Sequence, residues 1–298
     1  MMSATISPGT ALKYGLERVC EVWGQPRSTL YARRARQRAP VMPLERRGPK
    51  PVVSDEALLG HIRADLEASP FIGEGHRKVW ARLRVQRGVR VSRTRVLRVM
   101  RENKLLSPHR GRQGSVDPHD GEIITHEPNV MWGSDGARVL TVDEGWVWIF
   151  TAVEHWNAEC VGFNVVKEGN RYAALEPISM GLTQVYGSTA PDVARGLQLR
   201  IDHGTQYLSD HFLAQIRYWG ITPSFAFVAQ PQTNGVAERF NRTLKEQVIH
   251  GRVFHNVEEV RAAVAAFINR YNAEWLVEKL GFVSPSAARE SVTLRLAA

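Results

Sequence analysis

Cysteine is nearly absent from this chain of 298 residues: Cys20 and Cys160 are the only two, and they lie far apart. That excludes a disulfide framework and a four-ligand Cys/His zinc site, and it fits a reduced, cytoplasmic setting. Long apolar runs are missing as well. The longest strongly apolar stretch, WVWIFTAV at 146–153, falls far short of the roughly twenty residues a membrane span needs. The N-terminus MMSATISPGT has neither a basic n-region nor a hydrophobic h-region, so no secretory signal is read and no membrane partner is expected. Internal repeats and long low-complexity tracts are also lacking. What is present is 43% hydrophobic residues, enough for a sizeable core, and a net charge of +9 that is unevenly spread. Residues 1–115 carry 24 Lys and Arg against 9 Asp and Glu, a net +15, while the remainder carries 15 against 21, a net −6. The basic part calls for a polyanion, and the acidic part holds carboxylates in excess.

Periodicity and punctuation divide the chain. Residues 10–38 read as two short helices broken at WGQPRS, with Ser28 capping the second, a helix-turn-helix pattern assigned to a unit over 1–38. A proline-rich basic linker follows at 39–53. Three amphipathic segments near 55–68, 76–87 and 92–103 predict a helical DNA-binding domain over 54–107. The last of them, SRTRVLRVMREN, opens on Ser92 as N-cap, buries Val96, Val99 and Met100, and projects Arg93, Arg95, Arg98 and Arg101 as a groove-reading face. After a second linker at 108–123 the pattern turns strand-like. Three β-rich runs joined by tight connections predict a meander, and then helix, strand, helix and strand alternate, which describes an α/β sheet with helices on both faces over 124–255. Trp132, Trp146 and Trp148 read as core residues. A helical tail occupies 256–298.

In PQTNGVAERFNRTLKEQ, residues 231–247, Val236, Phe240 and Leu244, continued by Val248, recur every four residues as one buried stripe. Glu238, Asn241, Arg242 and Lys245 then share the other face. A solvated face with a Glu238–Arg242 pair is the ordinary reading of such a helix. Asp135 in WGSDG and Asp202 in RIDHGTQY likewise have ordinary readings, as a surface acid on a strand and as a turn former ahead of Gly204. In an α/β sheet, however, strand carboxyl ends and helix N-termini share one crevice, so these three acids can converge despite their separation in sequence.

WGSD, IDHGTQY and PQTNGVAERFNRTLKE resemble the three signature blocks of the DDE transposase and retroviral-integrase superfamily, with 35 residues between Asp202 and Glu238. More closely, the chain resembles the second-frame product of insertion-sequence-three family transposases. The likeness runs through the helix-turn-helix start, the GHRKVWARLR and VSRTRVLRVMRENKL blocks, the core and the tail RYNAEWLVEKLGFVSPSAARE. After Tyr271-Asn272, where the family commonly carries Arg-Pro-His, this chain has Ala273-Glu274-Trp275. The resemblance implies an RNase H-like core with a mixed five-stranded sheet, and Asp135, Asp202 and Glu238 as catalytic ligands of two Mg²⁺ ions, with Mn²⁺ able to substitute. Oxygen donors suit such hard cations, and a metal pair suits phosphodiester chemistry, which needs charge neutralised on both the attacking and the leaving oxygen. Asn241, Arg242 and Lys245 are read as phosphate contacts, and His203 and Asn234 as residues behind the acids. The implied activity is cleavage of element-end DNA and joining of its 3′-hydroxyl to target DNA. The implied partners are double-stranded DNA, further copies of the chain and an upstream-frame product, in the bacterial cytoplasm. Two other readings differ in what they require. A DNA-binding regulator with an inactive core needs none of the three acids, and a structure-selective nuclease on the same fold cuts without joining.

Overall fold

The computed structural model describes residues 2–38, 52–107, 124–225 and 235–297. Two compact units are distinguished, Met1–Val52 and Val53–Ala298. In the first, helices α1 (Leu16–Val22) and α2 (Arg27–Arg38) form the anticipated helical pair. Helix α2 begins at Arg27, one residue ahead of the expected cap, so Ser28 lies inside its first turn. The two linkers read from sequence fall largely outside the described residues.

The second unit opens with three helices, α3 (Asp55–Ala68), α4 (His76–Val85) and α5 (Arg93–Glu102). Side-chain caps start two of them, because the first amides of a helix have no carbonyl of their own to pair with. Ser54 accepts from the Ala57 amide at 3.1 Å and Ser92 from the Arg95 amide at 3.3 Å. Leu58, Ile62, Val79, Leu83, Val96, Val99 and Met100 close a small core among these helices. Beneath it, the Arg82 guanidinium is buried against Asp65 and Glu74.

The sheet follows: β1 (Met131–Thr141), β2 (Gly145–Glu154), β3 (Cys160–Val166), β4 (Gln198–Ile201) and β5 (Thr222–Phe225), in the order β3-β2-β1-β4-β5. β1 to β3 are antiparallel neighbours, and β4 and β5 run parallel to β1, giving the mixed sheet of an RNase H-like core. One face is covered by α6 (Arg171–Tyr186) and α7 (Asp210–Tyr218) over a core that includes Trp132, Phe150, Ile178, Leu199, Tyr207 and Phe212. Helix α6 contains Pro177, which cannot donate to the carbonyl four residues back. The Asn164 amide of β3 fills that place, donating to the Ala173 carbonyl at 3.1 Å.

The opposite face carries α8 (Gly235–Leu244), its π-helical continuation Lys245–Ile249, and α9 (Val257–Glu274). Phe240, Leu244 and Val248 pack here with Val260, Val264, Phe267 and Tyr271, so the tail assigned from residue 256 onward supplies part of the layer that covers the sheet. Phe71, from the turn after α3, enters the same cluster and meets Trp275 edge-on at 4.9 Å. Gln247 exchanges two hydrogen bonds with the backbone of Ile72, at 2.8 and 2.6 Å. Trp275 thus helps join the three-helix part to the sheet part. Helix α10 (Pro285–Ala297) ends the chain. No helix among the described residues is long and apolar enough to cross a membrane.

Candidate active site

Asp135 sits mid-strand in β1, opposite Thr151 of β2, with its side chain turned toward α8. Its Oδ1 accepts the Gly136 amide at 2.8 Å and its Oδ2 accepts the Asn241 Nδ2 group at 2.8 Å. Asn241 is in turn held by Thr151, whose hydroxyl donates to Oδ1 of the amide at 3.1 Å. The parallel register pairs Gly133 with Arg200, so two residues further along both chains Asp202 comes level with Asp135. Asp202 leaves the sheet immediately, its Oδ1 accepting the Gly204 amide at 2.9 Å. Glu238 lies in the first turn of α8.

Asp135 lies within electrostatic reach of another acid, and Glu238 within reach of Asp135. Burial pushes the Asp135 carboxyl above the usual range, the Asn241 and Gly136 donors pull it back, the Asp202 charge raises it further, and Lys245 opposes that. Glu238 is also raised, by burial first and by Asp135 second. Among the described residues, none of these acids forms a salt bridge with the chain, and no three His, Cys, Asp or Glu side chains close into a ligand cluster. The donor set is all carboxylate oxygen, the kind that hard divalent cations take.

Two neighbours were not singled out in the sequence. Thr151 is the sole hydroxyl in WVWIFTAV, a polar group in an apolar strand, which is the signal that could have found it. Tyr207, in IDHGTQY, is fully buried between Phe150 and Phe212 with its hydroxyl 3.2 Å from Ser134, next to Asp135.

Several expected contacts need correcting. Asn241 does not share the exposed face of α8: it is only 4% exposed, and both ends of its amide are engaged, so it supports Asp135 and is not open to a phosphate. Arg242 and Lys245 are exposed as expected. His203 is exposed, its ring 5.9 Å from Phe225, and Asn234 lies outside the described residues. The arginines of α5 are not a uniform free row. Arg95 binds Asp55 and the Val53 carbonyl, Arg98 binds Asp55 and Glu102, and Arg93 reaches Glu278 at 3.4 Å. Arg101 is exposed and makes no salt bridge among the described residues. Such surface pairs contribute little, so they do not bar phosphate binding, but they occupy three of the four guanidinium groups. Trp132 is buried and Trp148 half-buried, whereas Trp146 is 55% exposed and is not a core residue.

The family description of the integrase core domain matches residues 219–285, a span that contains Glu238 and Lys245 but neither aspartate, and that of the HTH-like domain matches residues 54–113. The transposase for insertion sequence element IS629 of Shigella sonnei is 26% identical over 227 residues, covering 73% of this chain and 74% of that protein. Transposase InsD for insertion element IS2 of Escherichia coli is 27% identical over 223 residues, covering 71% of each. Among solved structures, the catalytic core domain of BIV integrase is 23% identical with a TM-score of 0.41, covering 56% of this chain and 99% of that one. The HTLV-2 integrase catalytic core domain is 15% identical with a TM-score of 0.39, covering 52% and 93%. The chain is thus similar, at about a quarter identity, to insertion-sequence transposases, and parts of it match the HTH-like and integrase core domain descriptions.

Proposed function

We propose that the chain is a DDE transposase that cleaves the DNA ends of its element and joins the freed 3′-hydroxyl to target DNA. The observation that supports this reading is geometric: the β1–β4 register brings Asp202 level with Asp135, Asn241 of α8 donates to Asp135 one turn from Glu238, and none of the three acids forms a salt bridge among the described residues. Asp135, Asp202 and Glu238 would hold two Mg²⁺ ions, or Mn²⁺ in their place. When bound, such a pair supplies Lewis-acid stabilisation of the attacking and leaving oxygens. Asn241 and the Gly136 amide fix the orientation of the Asp135 carboxylate. Lys245 and Arg242 line the approach along α8 and dock phosphates without reading bases. The three-helix part, which carries the HTH-like match, would present the element ends.

In cleavage, water attacks phosphorus, the bond to the 3′ oxygen breaks, and the proton lost by water passes through solvent to that oxygen. In joining, the 3′-hydroxyl replaces water as nucleophile and the target strand supplies the leaving oxygen. No side chain becomes covalently bound to DNA. The purified chain should therefore nick and join DNA carrying its element's ends when Mg²⁺ or Mn²⁺ is added. Asp135→Ala, Asp202→Ala and Glu238→Ala should each abolish both reactions while end binding persists. Near-normal joining by any one variant would remove that acid from the site, and by all three would remove the proposal.

A further inference from the structure

β1 and β2 run on past the rest of the sheet. β4 ends at Ile201, and none of the described strands pairs with residues 136–141 of β1 on that side. Side chains alternate along this projecting ribbon, so Asp135, Ala137 and Val139 face α8 and α9, while Arg138 and Leu140 face the other way. On that second face a ladder of rings leads out of the core. Phe150 is buried, Trp148 stacks on it at 5.5 Å with the planes 4° apart, and the Arg138 guanidinium lies 5.2 Å from the Trp148 ring and 5.3 Å from the Trp146 ring. Trp146 ends the ladder in solvent, beside exposed Leu140.

Arg138 is exposed and makes no salt bridge among the described residues. The hairpin has two acids, but both are turned to the opposite side: Asp143 approaches His255 at 3.4 Å, and Glu144 accepts the Val257 amide at 2.6 Å at the start of α9. Among the described residues the cation therefore has no acidic partner, only the two indoles beside it. The start of α6, a helix end that favours anions, adjoins the same rings, for Gly169 lies directly against Trp148. A flat apolar ring open on one side beside a free guanidinium matches one ligand chemistry in two parts, a nucleobase that stacks and a phosphate that takes charge-assisted hydrogen bonds.

We propose that Trp146 and Arg138 form a docking site for an unpaired nucleotide of a DNA strand, with the base on Trp146 and its phosphate on Arg138. Arg138 follows Asp135 by three residues, about 10 Å along the strand. A DNA strand held at the acids can reach the site by crossing the unpaired edge of β1. This site adds to the reading given above, and binding alone tests it, so a failure to join DNA would not bear on it.

The test uses the full chain in EDTA, with a 5-iodouracil-substituted single strand as probe and excess unlabelled blunt duplex to occupy the basic N-terminal part. Irradiation should attach the probe at Trp146. Trp146→Ala should lose that adduct and weaken single-strand binding roughly 5- to 150-fold, the range for one stacked base, while Trp146→Phe keeps most of the affinity. Arg138→Gln should weaken binding and lower the slope of log affinity against log salt by about 0.7, one phosphate contact on a single strand. Thermal unfolding of each variant checks that the exposed substitutions leave the fold intact. Absence of the adduct together with unchanged affinity in Trp146→Ala would overturn the proposal. So would a Trp146→Ala variant that loses self-association but binds the strand normally, since the face would then be a contact between copies.

Discussion

Two buried or half-buried carboxylates lie at different levels of the β1–β2 ladder, Glu154 and Asp135, and the chain treats them in opposite ways. Glu154, level with Trp132, is fully buried; it accepts the Asn129 amide at 2.7 Å, the Trp132 indole at 3.0 Å and the Trp156 amide at 3.1 Å, and the Arg289 guanidinium lies 3.8 Å away. Glu159, close by, binds the same Arg289 and the Asn157 amide. Three pairs along the ladder, Asp135 has one amide side chain, one backbone donor and two acids for company. Burial pushes both Glu154 and Asp135 upward, but the glutamate has the Arg289 guanidinium 3.8 Å away, whereas Asp135 feels Lys245 without a salt bridge among the described residues. The difference separates two uses of acids within one sheet: those matched inside the chain hold α10 to the sheet, and those left unmatched are, on the proposed reading, the ones that would take a cation from outside.

The comparison can be broken first at the matched group. Arg289→Ala strands two buried carboxylates and should cost about 3–5 kcal/mol of stability, read as a lower midpoint in urea with the m-value unchanged. A loss below about 1 kcal/mol would mean the pairs are no better than surface ones.

Next comes pH. Burial, aided by the charges of Lys279 and Arg200, drives His155 from 6.5 to about 4. Between those values the unfolded chain takes up a proton that the folded chain refuses. The stability tied to His155 is therefore complete above pH 6.5 and is lost as pH falls through about 4. The change is about 3 kcal/mol. His155→Gln should flatten that slope between pH 7 and about 4 in unfolding titrations; an unaltered slope would place the effect elsewhere.

At the unmatched group, Asn241→Ala removes the amide that orients Asp135 and should reduce Mn²⁺ affinity and joining about 10- to 100-fold, as expected for a residue supporting a ligand. Asn241→Asp should be at least as harmful, since it adds a fourth negative charge. Equal activity in the wild type and Asn241→Ala would make the Thr151–Asn241 bond mere packing. The smallest effect is expected at Lys245. Lys245→Ala should lower the salt slope of DNA binding by about one unit and weaken joining modestly, with metal affinity nearly unchanged. Unchanged joining would mark it as a solvated lysine.

Much of this was legible in the sequence because local signals and global fold agree. Ser54 and Ser92 cap the helices they precede, the three β-rich runs pair as a meander, and IDHGTQY turns out of the sheet at Gly204. Helical spacing assigns faces only coarsely, and so it puts Asn241 on the exposed face. It stands next to buried Phe240, and the packing of α8 across both β1 and β2 widens the covered arc enough to include it. The pairing of the α5 arginines is invisible locally because Asp55, which binds two of them, is 40 and 43 residues away. Trp146 looks like Trp148 in sequence, and only the end of the covering helix layer separates the two. Nothing local announces the π turn at Lys245–Ile249, where Gln247 ties α8 to the turn after α3.

The contrast between matched and unmatched acids comes down to one experiment, thermal unfolding of the wild type and Asp135→Asn with and without saturating MnCl₂. Without metal, Asp135→Asn should unfold at the same temperature as the wild type or higher, since it removes a shielded charge that the fold does not neutralise. With Mn²⁺ the wild type should rise by several degrees and Asp135→Asn should not move. Equal stabilisation of both proteins by Mn²⁺, with Asp135→Asn markedly less stable in its absence, would show that Asp135 is a structural acid like Glu154 and that the cation binds elsewhere.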